Sequence, residues 1–277
     1  MRIDLHTHSI QSDGSDTPAE LVGRAAQAGL DVVALTDHDT IAGWTEAAEA
    51  GERLGIRVVL GIEFSTTNED RGQHLLGYNL DSAHPAIEEI LERGATSRED
   101  RVEALFTRLE DLGLSVDREY VVSLAGGIPS RKHVAAGLVK EGHVRTDDEA
   151  FARFLNEGGP AYVQRYRPTI DDAIAAIREA GGVSVIAHPR DGKRGPGVTE
   201  ARFAELSARG LDGIEVDHQQ HSADVRDELR SIAANLGLAV TGSSDYHGTR
   251  KTDHDLGCNV TEVQIAEALL GENFDGR

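Results

Sequence analysis

The chain has 277 residues, 39% of them apolar, so it is long enough for one large domain or two small ones with an adequate core. Its formal net charge of −20 argues against capture of long nucleic acid, which depends on a basic protein surface. Its single cysteine, Cys258, excludes an intramolecular disulfide and a cysteine-based zinc site.

The first residues, Met1-Arg2-Ile3-Asp4, carry no apolar leader. No stretch of the chain reaches the roughly 20 apolar residues that a membrane helix needs. We therefore expect a soluble, cytoplasmic protein with no membrane partner and no obligate protein partner.

Seven short runs are typical of buried β-strands, because they are apolar and β-branched with little alternation. In chain order they are residues 2–6, 31–36, 57–63, 73–78, 183–187, 213–216 and 238–242. Helix-like runs lie between most of them, and the first begins with the capping box Thr17-Pro18-Ala19-Glu20. Alternating strands and helices predict an α/β fold with a parallel sheet or barrel.

The alternation breaks between residues 82 and 167, where the pattern is helical throughout. We expect helices over residues 86–92, 97–112, 130–140 and 147–157. The sequence thus predicts a seven-stranded barrel formed by residues 1–81 and 168–277, with a helical insertion domain at residues 82–167. Because barrel active sites lie at the C-terminal ends of strands, we expect this insertion to overhang the site as a lid that binds substrate.

Histidine and carboxylate side chains cluster at the predicted strand ends. Any one of them is more often a polar cap or a core residue, but together they would converge on one mouth of the barrel. The residues are His6, His8, Asp13, His38, Glu63, His74, His188, His218, Asp245 and His247. Imidazoles and carboxylates without thiolates suit zinc, iron or manganese.

The number of these residues favours more than one metal ion. His6 and His8 are two apart on a strand, so their side chains emerge on one face, and Asp245 and His247 share that spacing. The nine candidate ligands other than His218 would oversupply a single ion, whereas two or three ions, some bridged by a carboxylate, would use them economically. Close-set ions suit hydrolysis of phosphate esters, because they generate hydroxide at neutral pH and neutralise the attacking and leaving oxygens.

The motifs resemble those of the PHP (polymerase and histidinol phosphatase) superfamily. They are His6-x-His8, Asp37-His38, Glu63, His74, His188 and Asp245-x-His247. The segments Asp4-Leu5-His6-Thr7-His8-Ser9 and Ser12-Asp13-Gly14 are similar to the stand-alone phosphoesterases of that superfamily. The resemblance covers the whole chain. It implies a distorted, TIM-like (β/α)7 barrel with two or three divalent metal ions (Mn, Fe or Zn) at its mouth, and hydrolysis of small phosphoesters such as nucleotides.

The resemblance also implies metal ligands. It assigns a first metal to His6, His8, Glu63 and Asp245, a second to Asp13, His38 and His247, and a third to Glu63, His74 and His188, with Glu63 bridging. Many relatives have histidine where this chain has Asp13. A carboxylate at that position favours manganese or iron over zinc.

Positive side chains should hold the phosphate oxygens that the metals do not, and the planar arginine side chain suits that role. The candidates in the insertion are Arg98 and Arg101, at helical spacing, and Arg131 and His133 in Ser130-Arg131-Lys132-His133. The related phosphoesterases usually have Arg-Pro-His at this last motif. We expect Arg131 to hold non-bridging oxygens, and His218 to contact substrate and protonate the leaving alkoxide.

These inferences predict a metal-dependent phosphoric monoester hydrolase. Its substrates would be nucleotides or nucleoside 3',5'-bisphosphates. A metal-bound hydroxide would attack their terminal phosphate ester. One alternative is a 5'-to-3' exoribonuclease on short RNA, although aromatic residues, on which bases stack, make up only 4% of the chain. Another is a non-catalytic, metal-binding regulatory PHP module. An amidohydrolase barrel is disfavoured by seven strands, a bridging-type Glu63 and the paired Asp245-x-His247.

Overall fold

The computed structural model describes residues 1–69, 71–125, 128–190 and 197–274. The chain divides into two compact units: unit 1 comprises Met1–Ile90 and Pro168–Arg277, and unit 2 comprises Leu91–Arg167. Among the described residues, no helix combines the length and the apolar character that a bilayer crossing requires.

Unit 1 is built on a seven-stranded sheet whose order follows the chain. Strands β1 to β7 are Ile3–Asp4, Val32–Leu35, Arg57–Asn68, Arg71–Tyr78, Val183–Ile186, Gly213–Asp217 and Ala239–Gly242. Two isolated bridges, Thr7 with Tyr246 and Ile3 with Thr261, link the two edges of the sheet. The sheet is therefore a nearly closed barrel, and the predicted distorted α/β barrel is confirmed.

Strand β4 is antiparallel to both of its neighbours, which differs from the all-parallel arrangement that the alternation predicts. Strands β3 and β4 form a hairpin in which Asn68 lies opposite Arg71 and Gly61 lies opposite Tyr78. Only two residues separate these strands, too few for the helical crossover that parallel neighbours need. As a result the first half of β4, with His74, lies at the end of the barrel where the parallel strands terminate.

The described residues form ten α-helices. In chain order, α1 to α10 are Pro18–Gln27, Trp44–Leu54, Pro85–Asp111, Arg118–Ser123, Arg131–Lys140, Asp147–Ala150, Ile170–Glu179, Glu200–Ala208, Ala223–Leu236 and Val263–Leu270. A π-helical turn, Phe151–Leu155, follows α6, and a 3₁₀ turn, Gly248–Arg250, follows β7. The predicted capping box begins α1: the Glu20 amide donates to Thr17 Oγ1 and the Thr17 amide donates to Glu20 Oε2.

The barrel strands are covered on both faces, as their continuous apolar runs predict. Val32 and Ala34 of β2 pack in one buried cluster with residues of β1, β4 and β5. Val33 and Leu35, which point the other way, pack in a second cluster with residues of α1 and α2. The apolar core thus fixes the register of β2, and the polar residues that follow it are held at the barrel mouth.

Unit 2 has an apolar core of its own, formed by residues of α3 to α6 and the π-helical turn. Leu105 and Leu109 of α3 and Leu138 of α5 are fully buried in it. The sequence predicts two helices over residues 86–112, whereas the structure has the single helix α3. The helix passes through Gly94, because one glycine costs only about 1 kcal/mol inside a helix and packing can offset that cost.

Candidate metal centre

The carboxylate of Glu63 lies at the centre of a group of imidazoles at the barrel mouth. Its Oε2 atom faces three histidine rings and its Oε1 atom faces two. Oε2 lies 3.2, 3.1 and 3.0 Å from ring nitrogens of His6, His8 and His38, and Oε1 lies 2.6 and 3.1 Å from those of His74 and His188. This division between two oxygens is the arrangement expected of a carboxylate that bridges metal ions.

Backbone hydrogen bonds at the ends of β2 and β3 place Glu63 in this position. The Glu63 amide donates to the Asp37 carbonyl at 3.2 Å, and the Asp39 amide donates to the Glu63 carbonyl at 3.0 Å. His38, between the two aspartates, is bridged to Glu63 as a parallel neighbour. The strand-end motif Asp37-His38 and the glutamate are therefore brought together by the sheet itself.

The orientation of His6 is set by a second buried carboxylate. His6 Nδ1 lies 2.9 Å from Glu215 Oε1, and both residues are fully buried. With its Nδ1 proton donated there, His6 presents the lone pair of Nε2 to the cluster, 3.0 Å from His8 Nε2. Two nitrogens this close need a shared proton or cation between them. The residues present therefore fit a divalent metal ion.

A second group of ligand-type atoms lies beside the first. Asp13 Oδ1 is 3.0 Å from His247 Nε2 and 3.8 Å from His38 Nε2. His247 donates its Nδ1 proton to the Asp245 carbonyl at 2.8 Å, so its Nε2 lone pair points to Asp13. One ligand atom each of His8, Asp13, His38 and His247 lies within 4.8 Å of the others.

Asp245 connects the centre to His218. Its Oδ1 atom lies 3.6 and 3.4 Å from the Nε2 atoms of His6 and His8, while its Oδ2 atom lies 3.2 Å from His218 Nε2. Asp245 has φ +51° and His188 has φ +28°, conformations that side-chain-bearing residues rarely adopt. Such backbone strain is concentrated at functional sites, because the surrounding structure must hold it.

The structure thus brings the nine predicted ligands into one linked cluster in unit 1. These residues are His6, His8, Asp13, His38, Glu63, His74, His188, Asp245 and His247. The group formed by His8, Asp13, His38 and His247 shares His8 and His38 with the two groups around Glu63.

The electrostatics of the cluster are those of a cation site. Burial raises the pKa of Glu63, but the His38 and His74 imidazoles outweigh it and hold that pKa well below its usual range. Burial lowers the pKa of His8, but hydrogen bonds to Asp245 and Glu63 prevail and raise it to about 9. Burial lowers the pKa of His38 to about 4. The ionised carboxylate of Glu63 and the proton held on His8 are both expected where positive charge belongs, whereas the low pKa of His38 leaves that ring neutral, as a metal ligand has to be.

Four residues outside the predicted site support it. Glu215 holds His6 and accepts the His188 amide at 2.7 Å, and Asp37 accepts the Ser9 amide at 2.8 Å and so fixes the loop that carries Asp13. The sequence offers one indication of Glu215, because it is a charged residue inside an otherwise apolar predicted strand. Lys251 and His254, beyond the 3₁₀ turn, also contact or approach Asp245, and no sequence pattern marks them.

The predicted substrate residues Arg98, Arg101, Arg131 and His133 lie in unit 2. Arg101 is 8% exposed and Arg131 is half-buried, and each guanidinium lies 5.9 Å from the centre of the Tyr162 ring. Burial, together with Arg131 and Arg165, lowers the pKa of Arg101. Unit 2 therefore concentrates positive charge around Tyr162. His133 Nδ1 accepts the Ser130 amide at 3.0 Å and so caps α5.

Comparison with known proteins adds three findings. The model of the PHP domain family matches residues 4–120. The chain is 38% identical to a 5'-3' exoribonuclease of Haemophilus influenzae over 89% of this chain and 90% of the relative. It is 34% identical to a 3',5'-nucleoside bisphosphate phosphatase of Chromobacterium violaceum over 92% of this chain and 90% of the relative.

A solved structure matches nearly all of the chain. It is that of a Bifidobacterium adolescentis protein assigned as a metal-dependent phosphoesterase, with 34% identity and a TM-score of 0.90. The match covers 99% of this chain and 98% of that one, so both units have counterparts there.

Proposed function

The chain belongs to the PHP domain family and is a metal-dependent phosphoesterase, and we propose that it removes a terminal phosphate from nucleotides or nucleoside 3',5'-bisphosphates. This family membership confirms the resemblance to the PHP superfamily that the sequence motifs indicate. The observation that supports the proposal best is the position of Glu63, whose two carboxylate oxygens face two separate sets of imidazoles.

The donor set supports two or three divalent ions. His6, His8 and Asp245 would hold one together with Glu63, while Asp13, His38 and His247 would hold the second. His74 and His188, on the other oxygen of Glu63, would hold a third. Such ions supply a nucleophile at neutral pH and offset the charge on the phosphate oxygens. The carboxylate of Asp13 among imidazoles favours manganese or iron at the second position.

The protein's own groups orient this machinery. Glu215 holds the Nδ1 proton of His6, so that Nε2 remains a ligand atom. His218 Nδ1 accepts the Gln220 amide at 3.2 Å, which leaves a proton on Nε2, 3.2 Å from Asp245 Oδ2. We propose that this Nε2 proton passes to the leaving oxygen of the ester.

The arginines of unit 2 would bind substrate phosphate. Arg101 and Arg131 are largely removed from water, and among the described residues the Nε atom of Arg101 has no hydrogen-bond partner. A desolvated positive cluster of this kind is stabilised by an anion. Arg98, one helical turn from Arg101, and His133, on the first turn of α5, would contribute to the same site.

A second candidate activity is 5'-to-3' exonucleolytic cleavage of short RNA. The Haemophilus influenzae relative is named for that activity. In unit 2, the Tyr162 ring lies beside two guanidinium groups, a combination that also suits a stacked base and its phosphate. A non-catalytic regulatory role is less well supported, because every predicted metal ligand is retained.

A substrate panel tests the proposal. The protein, loaded with Mn²⁺, is assayed for phosphate release from nucleotides and nucleoside 3',5'-bisphosphates, for nucleotide release from 5'-phosphorylated oligoribonucleotides, and for hydrolysis of cyclic amides. We expect the highest kcat/KM on a nucleotide or bisphosphate. The variants His8→Ala and Asp245→Ala should lose turnover while their circular dichroism spectra stay native.

Three outcomes would contradict the proposal. Near-native turnover by either variant in added Mn²⁺ would refute the site assignment. Hydrolysis of cyclic amides alone would indicate an amidohydrolase. Bound metal with no phosphoester turnover would indicate the regulatory module.

A further inference from the structure

The two oxygens of Asp245 have different surroundings. Oδ1 faces the Nε2 atoms of His6 and His8, inside the metal centre. Oδ2 contacts both His218 Nε2 and the ammonium group of Lys251. A single buried carboxylate is therefore shared between the metal centre and a lysine that the proposed reaction does not use.

A pocket of polar atoms surrounds Oδ2. His254 is 7% exposed and donates its Nδ1 proton to the Thr252 carbonyl at 2.7 Å, which leaves Nε2 as an acceptor. Among the described residues, Nε2 of His254 has no hydrogen-bond partner. One ligand atom each of His218, Asp245 and His254 lies within 4.8 Å of the others. The side of Asp245 that carries Oδ2 is therefore a buried polar site.

This pocket is poorly suited to a further metal ion, although its three residues are of the ligand type. His218 Nε2 carries a proton, because the Gln220 amide occupies the Nδ1 lone pair. The Lys251 ammonium already neutralises Oδ2, and a divalent cation there would be repelled by it. The group that is free to change its partner in this pocket is Lys251.

The backbone around Lys251 is anchored and its side chain is accessible. The Thr249 amide donates to Ser15 Oγ at 2.9 Å, and the Arg250 amide donates to the His247 carbonyl at 3.4 Å. The Lys251 side chain is 26% exposed, compared with 4% for Asp245. The ammonium can therefore leave Asp245 by rotation of its flexible four-carbon stem, with no change in the loop.

We propose that Lys251 is a substrate-binding residue whose ammonium pairs with Asp245 in the metal-free protein and moves to a phosphate oxygen of the substrate once Asp245 holds a metal. The inference rests on the proposed function of the same centre. When Asp245 ligates a cation, its negative charge is shared and the attraction for Lys251 weakens. A phosphate ester at the centre then offers the strongest available acceptors for a compact, mobile positive charge.

The test compares Lys251→Met with Arg250→Met. Arg250 is the adjacent, exposed cation on the same loop, so its variant controls for the loss of one positive charge. Calorimetric titration of the metal-free proteins with Mn²⁺ should give about two- to fivefold tighter binding in Lys251→Met than in the wild-type protein. The variant lacks the partly exposed ion pair with Lys251 that competes with Mn²⁺ for Asp245, and such a pair contributes little free energy. Titration of the Mn²⁺-loaded proteins with inorganic phosphate should give about tenfold weaker phosphate binding in Lys251→Met than in the wild-type protein. KM for the best phosphoester should rise more than kcat falls.

Arg250→Met should match the wild-type protein in both titrations, and Lys251→Arg should recover most of the phosphate affinity. Unchanged phosphate affinity in Lys251→Met would overturn the proposal, whether or not Mn²⁺ affinity rises. Unchanged Mn²⁺ affinity would also overturn it, since Lys251 would then not compete for Asp245. If Lys251→Met does not fold, Lys251→Gln is measured in the same way. Both titrations remain valid if the wild-type protein hydrolyses no phosphoester, a result that would refute the proposed function alone.

Discussion

His6 and Glu215 form a buried pair in which Nδ1 of the imidazole lies 2.9 Å from Oε1 of the carboxylate. The pair determines which nitrogen of His6 faces the metal centre, because the proton on Nδ1 is held by Glu215. Glu215 also accepts the amide of His188 at 2.7 Å and a hydroxyl proton from Ser243. One carboxylate thus orients two of the predicted ligands without itself facing the metals.

Replacing Glu215 should weaken metal binding although it removes no ligand. In Glu215→Gln the His6 ring loses a charged acceptor, and we expect Mn²⁺ affinity to fall about 10- to 100-fold. Equilibrium dialysis against Mn²⁺ measures this directly. Glu205→Gln, which changes an exposed glutamate on α8, serves as the control. Equal affinity in the two variants would mean that Glu215 does not orient His6.

Metal affinity should increase with pH. Hydrogen bonds to Asp245 and Glu63 outweigh burial and raise the pKa of His8 from 6.5 to about 9, so a proton competes with the metal for this ligand at neutral pH. Between pH 6.5 and 8.5 we expect Mn²⁺ affinity to rise by up to about tenfold per pH unit. Calorimetry in buffers of different ionisation enthalpy should detect the released proton. A flat profile would contradict the protonation of His8.

The raised pKa of His8 also predicts how the stability of the metal-free protein depends on pH. Because the folded-state pKa of His8 lies above the unfolded value of 6.5, its contribution to stability is fully present below pH 6.5 and is lost as pH rises through about 9. The urea midpoint of the metal-free protein should therefore fall over this interval. In His8→Gln the decline should be smaller, and an equal decline would assign it to other groups.

Anions should stabilise the metal-free protein through unit 2. Burial, with the charges of Arg131 and Arg165, lowers the pKa of Arg101, which means that its charged form is in an unfavourable environment. We expect inorganic phosphate to raise Tm, and the rise to be smaller by about 2–4 °C in Arg101→Met. Arg145→Met removes a side chain that is 94% exposed and should behave like the wild-type protein. An undiminished rise in Arg101→Met would exclude Arg101 from the anion site.

Tyr78 should stabilise the barrel through its hydroxyl group. The fully buried Tyr78 hydroxyl donates to the Leu5 carbonyl at 2.8 Å, next to His6. Tyr78→Phe leaves that carbonyl unsatisfied, so we expect the free energy of unfolding to fall by about 1–2 kcal/mol. Urea denaturation of the metal-free protein measures the change. Tyr120→Phe, on α4 of unit 2, should have little effect, and a similar loss in both would argue against a specific bond to Leu5.

The seven strands could be predicted because their apolar runs are uniform, and the barrel followed from their alternation with helices. The orientation of β4 could not be predicted, because periodicity identifies a strand without fixing its direction. A separation of two residues between strands indicates an antiparallel hairpin, and Asn68 and Arg71 are separated in this way. The sequence does not reveal this short separation, because the strand-like runs at residues 57–63 and 73–78 stop short of the turn. The sequence therefore marked His74 as a ligand type without explaining how it reaches the mouth.

The predicted ligands come together because the strands of a barrel terminate at one mouth, so residues far apart in sequence share a location. Glu215 lies on a strand and carried a weak signal, but its hydrogen bond to His6 depends on which way each ring turns. Lys251 and His254 lie in the segment beyond a 3₁₀ turn, whose path has no periodicity to interpret. Their contacts with Asp245 could come only from the folded structure.

The backbone bond from the His8 amide to the Tyr246 carbonyl, 2.8 Å long, ties together the two segments of unit 1 that flank unit 2 in the chain. His8 precedes unit 2, whereas Asp245 and His247 follow it, so neither segment holds the whole set of predicted ligands. Local unfolding that separates the two segments would therefore dismantle the metal centre, which makes retention of metal a reporter of barrel closure.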